Sequence, residues 1–144
     1  MYLSLLITTL SVSFLWSISP ILYKILLNDI HLSTILILIQ VVLLIISCIY
    51  GLYHWEHIVT DVNKLNIKNI SWIVIAGASL CLGQLLYLYA LKHYKAYIVA
   101  ALCYTSPIFT MLLAYLVLNE TISLQCVIGV ITIVIGVILL TCKK

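Results

Sequence analysis

Residues 32–53 read LSTILILIQVVLLIISCIYGLY, an unbroken run without Asp, Glu, Lys, Arg or His. Because an α-helix rises about 1.5 Å per residue, ~20 residues cross a hydrocarbon core of roughly 30 Å. Further uncharged runs reach this length at residues 1–23, 69–91, 96–119 and 121–142. A helix satisfies its own backbone hydrogen bonds in lipid. The sequence therefore predicts an all-α integral membrane protein, with five transmembrane helices in a single domain over residues 1–144.

The composition excludes a soluble globular domain. Hydrophobic residues make up 65% of the chain and charged residues 8%, against about 25% charged in soluble domains. The net charge of +3 comes from lysines scattered near helix ends, without any arginine, so no nucleic-acid partner is expected. The first run lacks a basic leader and a small-residue cleavage site, and it is interpreted as an uncleaved transmembrane helix. The five cysteines form no C-x-x-C pair and are expected to pack as small apolar residues.

The boundaries of the helices follow from the turns between the runs. Trp55, Ile58, Val62 and Leu65 recur at helical spacing within the one sizeable loop, 54–70, and predict a short interfacial helix there. Residues 119–121 offer capping groups to the last helix. The transmembrane helices are predicted at about 3–27, 32–53, 71–91, 96–118 and 122–141.

The lysines give the expected orientation in the membrane. The ends of the runs on one side carry five of them, Lys24, Lys92, Lys95, Lys143 and Lys144. The other side carries two, Lys64 and Lys68. Because cytoplasmic loops are enriched in basic residues, the N-terminus is expected outside and the C-terminus inside. Insertion in both orientations stays open.

The sequence lacks the residues that several kinds of chemistry require. No charged residue lies in the middle of a run, which argues against a carboxylate proton relay within the membrane. A Walker A loop is missing, which argues against direct coupling to ATP. His54 and His57 have an H-x-x-H spacing but no third strong ligand nearby, so neither a metal nor another cofactor is expected. No nucleophile–base pair is visible, so the chain is not expected to be an enzyme.

Uncharged polar and aromatic residues recur at helical spacing in three of the runs. Prolines at positions 20 and 107 each remove a backbone donor and are expected to kink their helices. Non-ideal backbone at membrane depth tends to line cavities, which favours a polar cavity for a small solute. The candidate solute-binding residues are Trp16, Ser17, Gln84, Tyr87 and Tyr104. The alternative is that the hydroxyls bond their own helix, the prolines only bend it and the tyrosines pack.

Gly129 and Gly136 are seven residues apart, on one face of the last helix. Glycines on one face permit two helices to approach closely. The approach serves either packing within the monomer or a homodimer contact, and the sequence leaves both open.

Taken in order, these features resemble the drug/metabolite transporter superfamily, in particular one EamA-type unit of five helices. The segment ALKHYKA, residues 90–96, is similar to the family's turn before its fourth helix, and SPIFT, residues 106–110, to its Ser-Pro-hydrophobic segment. Residues 118–120 resemble its Leu-Gly-Glu corner, with Asn119 in place of Gly. Trp16, followed at a distance by Tyr23 and Lys24, is similar to its first-helix pattern.

The sequence also departs from the family pattern. Ser17 stands where a glycine is usual, and Gln40 lies where these units often carry arginine. The first helix lacks the embedded glutamate with which small multidrug resistance proteins couple export to protons.

The resemblance implies a drug/metabolite-transporter-like bundle that works as a secondary transporter of a small metabolite by alternating access. Larger family members contain two such units in inverted orientation, so a homodimer or heterodimer of five-helix units in membrane lipid is the implied assembly. The alternative is a membrane protein that does not transport, either a partner-binding protein or an inactive half-transporter.

Overall fold

The computed structural model describes residues 2–141, and long apolar helices account for most of them. Five segments of this part of the chain are long and apolar enough to cross a membrane. The all-α membrane fold predicted from the sequence is thereby confirmed. The helices are α1 (Tyr2–Leu26), α2 (Leu32–Tyr53), α3 (Trp55–Val62), α4 (Ile67–His93), α5 (Ala96–Cys103), α6 (Ser106–Leu118) and α7 (Leu124–Thr141).

The fourth span differs from the expected continuous helix, because α5 ends at Cys103 and α6 begins at Ser106. Pro107 lies in the first turn of α6, where its missing N–H costs nothing. Pro107 therefore lies directly after a break in the fourth span, at the start of α6. Its role in kinking this span stays a prediction. Pro20 does lie inside its helix, α1.

The short helix predicted in the loop 54–70 is present as α3, and its place at the membrane interface stays a prediction. This helix packs against α2. Gly51 makes this approach possible, because a Cβ at that position would lie 3.1 Å from Cδ1 of Ile58. A larger residue at position 51 would require the end of the Ile58 side chain to shift by a few tenths of an ångström.

Side chains at the starts of α4 and α7 bind free backbone N–H groups. The side-chain oxygen of Asn66 accepts from the N–H of Asn69 at 2.9 Å, so α4 begins four residues before the predicted start. The hydroxyl oxygen of Ser123 accepts from the N–H of Cys126 at 3.3 Å. Ser123 therefore caps α7, in place of the residues 119–121 expected from the sequence.

The described chain forms two compact units. The first lies within residues 1–22 and 93–144. In this unit α5 packs against α7. Its buried side chains come from α1, α5 and α7: Pro20, Val99, Ala101 and Val137.

The second unit comprises residues 23–92. Its best buried side chains are Leu88 and Leu91 of α4, both fully inaccessible, and Ile35 of α2, which is 2% exposed. Lys24 at the end of α1 also belongs to this unit, and its Nζ donates to the carbonyl oxygens of Leu91 and Lys92. The ends of the first and third spans are thus bonded to each other.

Most apolar side chains of the spans point outward. Only 6% of the most hydropathic window of each span is buried. A soluble protein could not expose this surface, whereas lipid acyl chains are as apolar as the side chains they meet.

Candidate solute-binding site

Trp16 and Ser17 lie in the second half of α1, and both are exposed. The Ser17 hydroxyl donates to the carbonyl oxygen of Phe14 at 2.7 Å, and the Ser13 hydroxyl donates to that of Thr9 at 2.9 Å. These hydroxyl protons are held by the helix itself, as the packing alternative expects. A hydroxyl oxygen that donates its proton can still accept a hydrogen bond. Ser17 can therefore offer a solute an acceptor.

Pro20, one turn after Trp16, leaves a backbone acceptor in α1. Proline has no N–H, so the carbonyl oxygen of Trp16 lacks its usual intrahelical donor. This released acceptor lies in the second half of α1, in the same part of the helix as Ser17.

The break between α5 and α6 lies inside the fourth span, at Tyr104 and Thr105. The Tyr104 N–H is shared between the carbonyl oxygens of Ala100, at 3.2 Å, and Ala101, at 3.1 Å. The carbonyl oxygen of Leu102 accepts from both the backbone N–H and the hydroxyl of Thr105, at 3.1 and 2.7 Å. The helical ladder is therefore replaced by tighter local bonds. Irregular backbone at membrane depth is tolerated where it is covered by protein or faces water.

The Tyr104 side chain leaves the chain at this break and is half exposed. Its ring and hydroxyl can stack on a solute and hydrogen-bond to it. Among the predicted binding residues, Tyr104 is the one that lies at a break between two helices.

Gln84 on α4 carries a buried donor that is not used. Its side-chain nitrogen is inaccessible to solvent and has no hydrogen-bond partner, although the residue as a whole is half-buried. An unpaired amide in an apolar environment costs about 1–3 kcal/mol. Tyr87 follows three residues later on the same helix and is also half-buried. An incoming acceptor oxygen would relieve the cost at Gln84.

A groove of about 290 Å³ lies beside this part of α4, within the same unit. It is lined by Leu36, Ile37, Gln40, Val41 and Leu44 of α2 and by Cys81 of α4. Cys81 precedes Gln84 by three residues and therefore lies on the same helix face.

Gln40 adjoins this groove, whose surface is almost entirely apolar, and it was not among the residues predicted to bind solute. Its signal in the sequence is the single amide in the otherwise aliphatic core of the second run. Burial of an amide in hydrocarbon costs free energy unless the amide has hydrogen-bond partners. The same argument applies to Gln84.

The predicted binding residues are divided between the two units. Trp16, Ser17 and Tyr104 belong to the unit within residues 1–22 and 93–144, and Gln84 and Tyr87 to the unit of residues 23–92. Their convergence on one shared cavity stays a prediction.

His54 and His57 lie near each other at the start of α3, with ring centroids 6.2 Å apart. Within residues 2–141, no three His, Cys, Asp or Glu side chains are grouped so that they could hold a metal ion. The structure therefore assigns no metal ligands.

Gly129 and Gly136 face open space on α7. A Cβ built at either glycine would meet no atom of the described chain within 4 Å. The close approach that these residues permit is thus not used by the described part of the chain.

Asn119 determines the backbone conformation of the corner after α6. It ends α6 with a φ of 54° and a ψ of 32°, the left-handed conformation. Glycine adopts this conformation without strain, and asparagine tolerates it better than most residues. Asn119 therefore suits this turn, and a glycine at the same position would suit it as well.

Comparison with known proteins agrees with this fold. The sequence model of the EamA-like transporter family matches residues 3–142. An uncharacterized protein of Methanocaldococcus jannaschii is 35% identical over 97 residues, which cover 67% of this chain and 68% of that protein. No solved structure matches the chain. This chain is a member of the EamA-like transporter family, membrane transporters of small solutes.

Proposed function

We propose that the protein is a secondary transporter that moves a small metabolite by alternating access. The observation that carries this proposal is the buried side-chain nitrogen of Gln84, which has no partner. A donor kept dry and unpaired inside a membrane span is costly, and a solute with an acceptor oxygen would satisfy it.

The proposed binding residues offer a particular chemistry. Gln84 supplies a donor, Ser17 an acceptor, and Trp16, Tyr87 and Tyr104 supply aromatic surface with polar edges. None carries a full charge, and the five uncharged runs of the spans supply no countercharge. These groups favour a solute without net charge in its central portion, which is bound by hydrogen bonds and aromatic stacking.

The proposed working form is a dimer of five-helix units. The open face around Gly129 and Gly136 supports this assembly, because a second helix can approach these glycines closely. Two copies inserted in opposite orientations would form the inverted repeat of larger transporters. The lysine distribution favours one orientation, N-terminus outside and C-terminus inside, and a heterodimer with another unit would keep that orientation in every copy.

Uptake into proteoliposomes tests the proposal. Vesicles that contain the protein are given a mixture of isotopically labelled metabolites, and the compounds taken up are identified by mass spectrometry. Gln84→Leu and Tyr104→Phe are expected to lower uptake of the transported compound about tenfold, the effect of losing one buried hydrogen bond to the solute. Gln125→Leu is the matched control, because Gln125 is an exposed amide at the start of α7.

Absence of uptake by correctly folded wild-type protein would contradict the proposal. Retention of a specific protein partner under those conditions would favour the alternative, a membrane protein that does not transport.

A further inference from the structure

Lys24 makes a contact that joins two membrane spans. Its Nζ donates to the carbonyl oxygen of Leu91 at 2.5 Å and to that of Lys92 at 3.4 Å. Lys24 lies in the last turn of α1, and both carbonyls lie near the end of α4. Hydroxyls inside the spans behave differently: Ser13 and Thr132, for example, donate to carbonyls four residues earlier in their own helices.

The chemistry of a helix end explains why an ammonium binds there. The last carbonyls of an α-helix have no donor within the helix, and they form the negative end of its dipole. An ammonium group provides three N–H donors and a positive charge. Lys24 thus supplies donors to α4 that α4 itself lacks.

The contact lies beside apolar side chains, with the bond to Leu91 partly buried and the bond to Lys92 exposed. Leu91 and Leu88 are fully buried, Leu27 is 9% exposed, and Lys24 is half-buried. A long lysine side chain at the end of a span can also turn to the headgroup region and be solvated there. A bond of this kind can hold two helix ends together and release them without a large change in either helix.

We propose that Lys24 is the gate residue of this end of the protein. Its ammonium binds the carbonyls of Leu91 and Lys92 when the ends of α1 and α4 are closed, and it leaves them when the ends separate. The proposal rests on the proposed transport function, since alternating access requires each end to open in turn. The opening itself can be measured without any solute.

Distances between spin labels test the gate. Asp29→Cys and Lys92→Cys are introduced into a variant without the native cysteines, and both positions are exposed. Lys92 enters the contact through its backbone carbonyl, so replacement of its side chain leaves that acceptor in place. Double electron–electron resonance in nanodiscs then gives the distribution of distances between the two helix ends.

If Lys24 is the gate residue, the labelled protein that retains Lys24 should show two distances between the spin labels, and the short distance should dominate. Lys24→Met should raise the long-distance fraction roughly three- to tenfold, because the closed state loses its charge-assisted contact. Lys24→Arg keeps the donors and should resemble Lys24. Lys68→Met removes an exposed lysine elsewhere on α4 and should change nothing. If Lys24→Met fails to fold, Lys24→Gln provides the comparison.

A single short distance in the Lys24 protein would overturn the gate, whatever Lys24→Met does, because Lys24 would then be a permanent helix cap. Two distances that do not respond to Lys24→Met would overturn it as well. A disulfide between the two introduced cysteines should arrest uptake, and its reduction should restore uptake. Two distances that respond to Lys24→Met, without uptake by any variant, would contradict the proposed function and leave the gate intact.

Discussion

The hydroxyl of Ser123 accepts a hydrogen bond from the backbone N–H of Cys126 at 3.3 Å and lies 3.1 Å from the Sγ of the same residue. This pair starts the last span, because α7 begins at Leu124. The first N–H groups of a helix have no carbonyl partner within it, so the side chain before the helix supplies one.

Replacement of this cap should weaken the last span. Ser123→Ala is expected to cost about 1 kcal/mol and to lower the midpoint of thermal unfolding by roughly 2–4 °C. Circular dichroism of the protein in mild detergent measures the midpoint. Ser123→Asp should retain the stability, because aspartate also caps well and favours the positive end of the dipole. Thr121→Ala is the control, and a larger effect of Thr121→Ala than of Ser123→Ala would contradict the assignment of the cap.

The turn after α6 should tolerate glycine and reject branched side chains. Asn119 has a φ of 54°, and a β-branched residue in that conformation costs roughly 1–2 kcal/mol more. Asn119→Val should therefore lower the unfolding midpoint, whereas Asn119→Gly should leave it within about 2 °C of wild type. Asn63→Val is the matched control, since Asn63 ends α3 with a φ of −68°. Equal effects of valine at positions 63 and 119 would show that backbone conformation is not the cause.

The open glycine face of α7 should be where two copies meet. Gly136→Leu is expected to weaken dimerisation about tenfold or more, because an oversized side chain in a close helix contact costs roughly 1–3 kcal/mol. The monomer should keep its stability, since a Cβ at position 136 meets no described atom within 4 Å. Photobleaching steps of single labelled molecules in vesicles count the copies. Gly83→Leu, at an equally open position on α4, is the control. An unchanged dimer in Gly136→Leu, or a loss of dimer in Gly83→Leu, would place the contact elsewhere.

The sequence was sufficient to predict the spans, because length and lack of charge decide whether a helix can cross a bilayer. It also predicted α3 from the spacing of Trp55, Ile58 and Val62. It could not locate the break at Tyr104, because the hydropathy of the sequence does not change there. In a sequence, a proline that kinks a helix also looks the same as a proline that starts one.

Contacts between distant residues were beyond the reach of the sequence. The sequence indicates Lys24 as a lysine that sets orientation and as part of a first-helix pattern, but nothing local indicates that its Nζ reaches a carbonyl at position 91. The unpaired donor of Gln84 was foreseen in part, because an amide in an apolar run must face protein or water. Whether the polar residues of the two units share one cavity depends on an arrangement that periodicity does not encode.

The carrier mechanism itself is tested most directly by counterflow. Proteoliposomes are loaded with an excess of unlabelled solute and placed in a trace of the labelled compound that the uptake screen identifies. A protein that works by alternating access should accumulate the label transiently above its equilibrium level, because the unlabelled solute on the inside drives the return of the binding site. Gln84→Leu should reduce this overshoot about tenfold, and Gln125→Leu should not. Uptake that rises only to equilibrium, with or without the internal solute, would contradict the account.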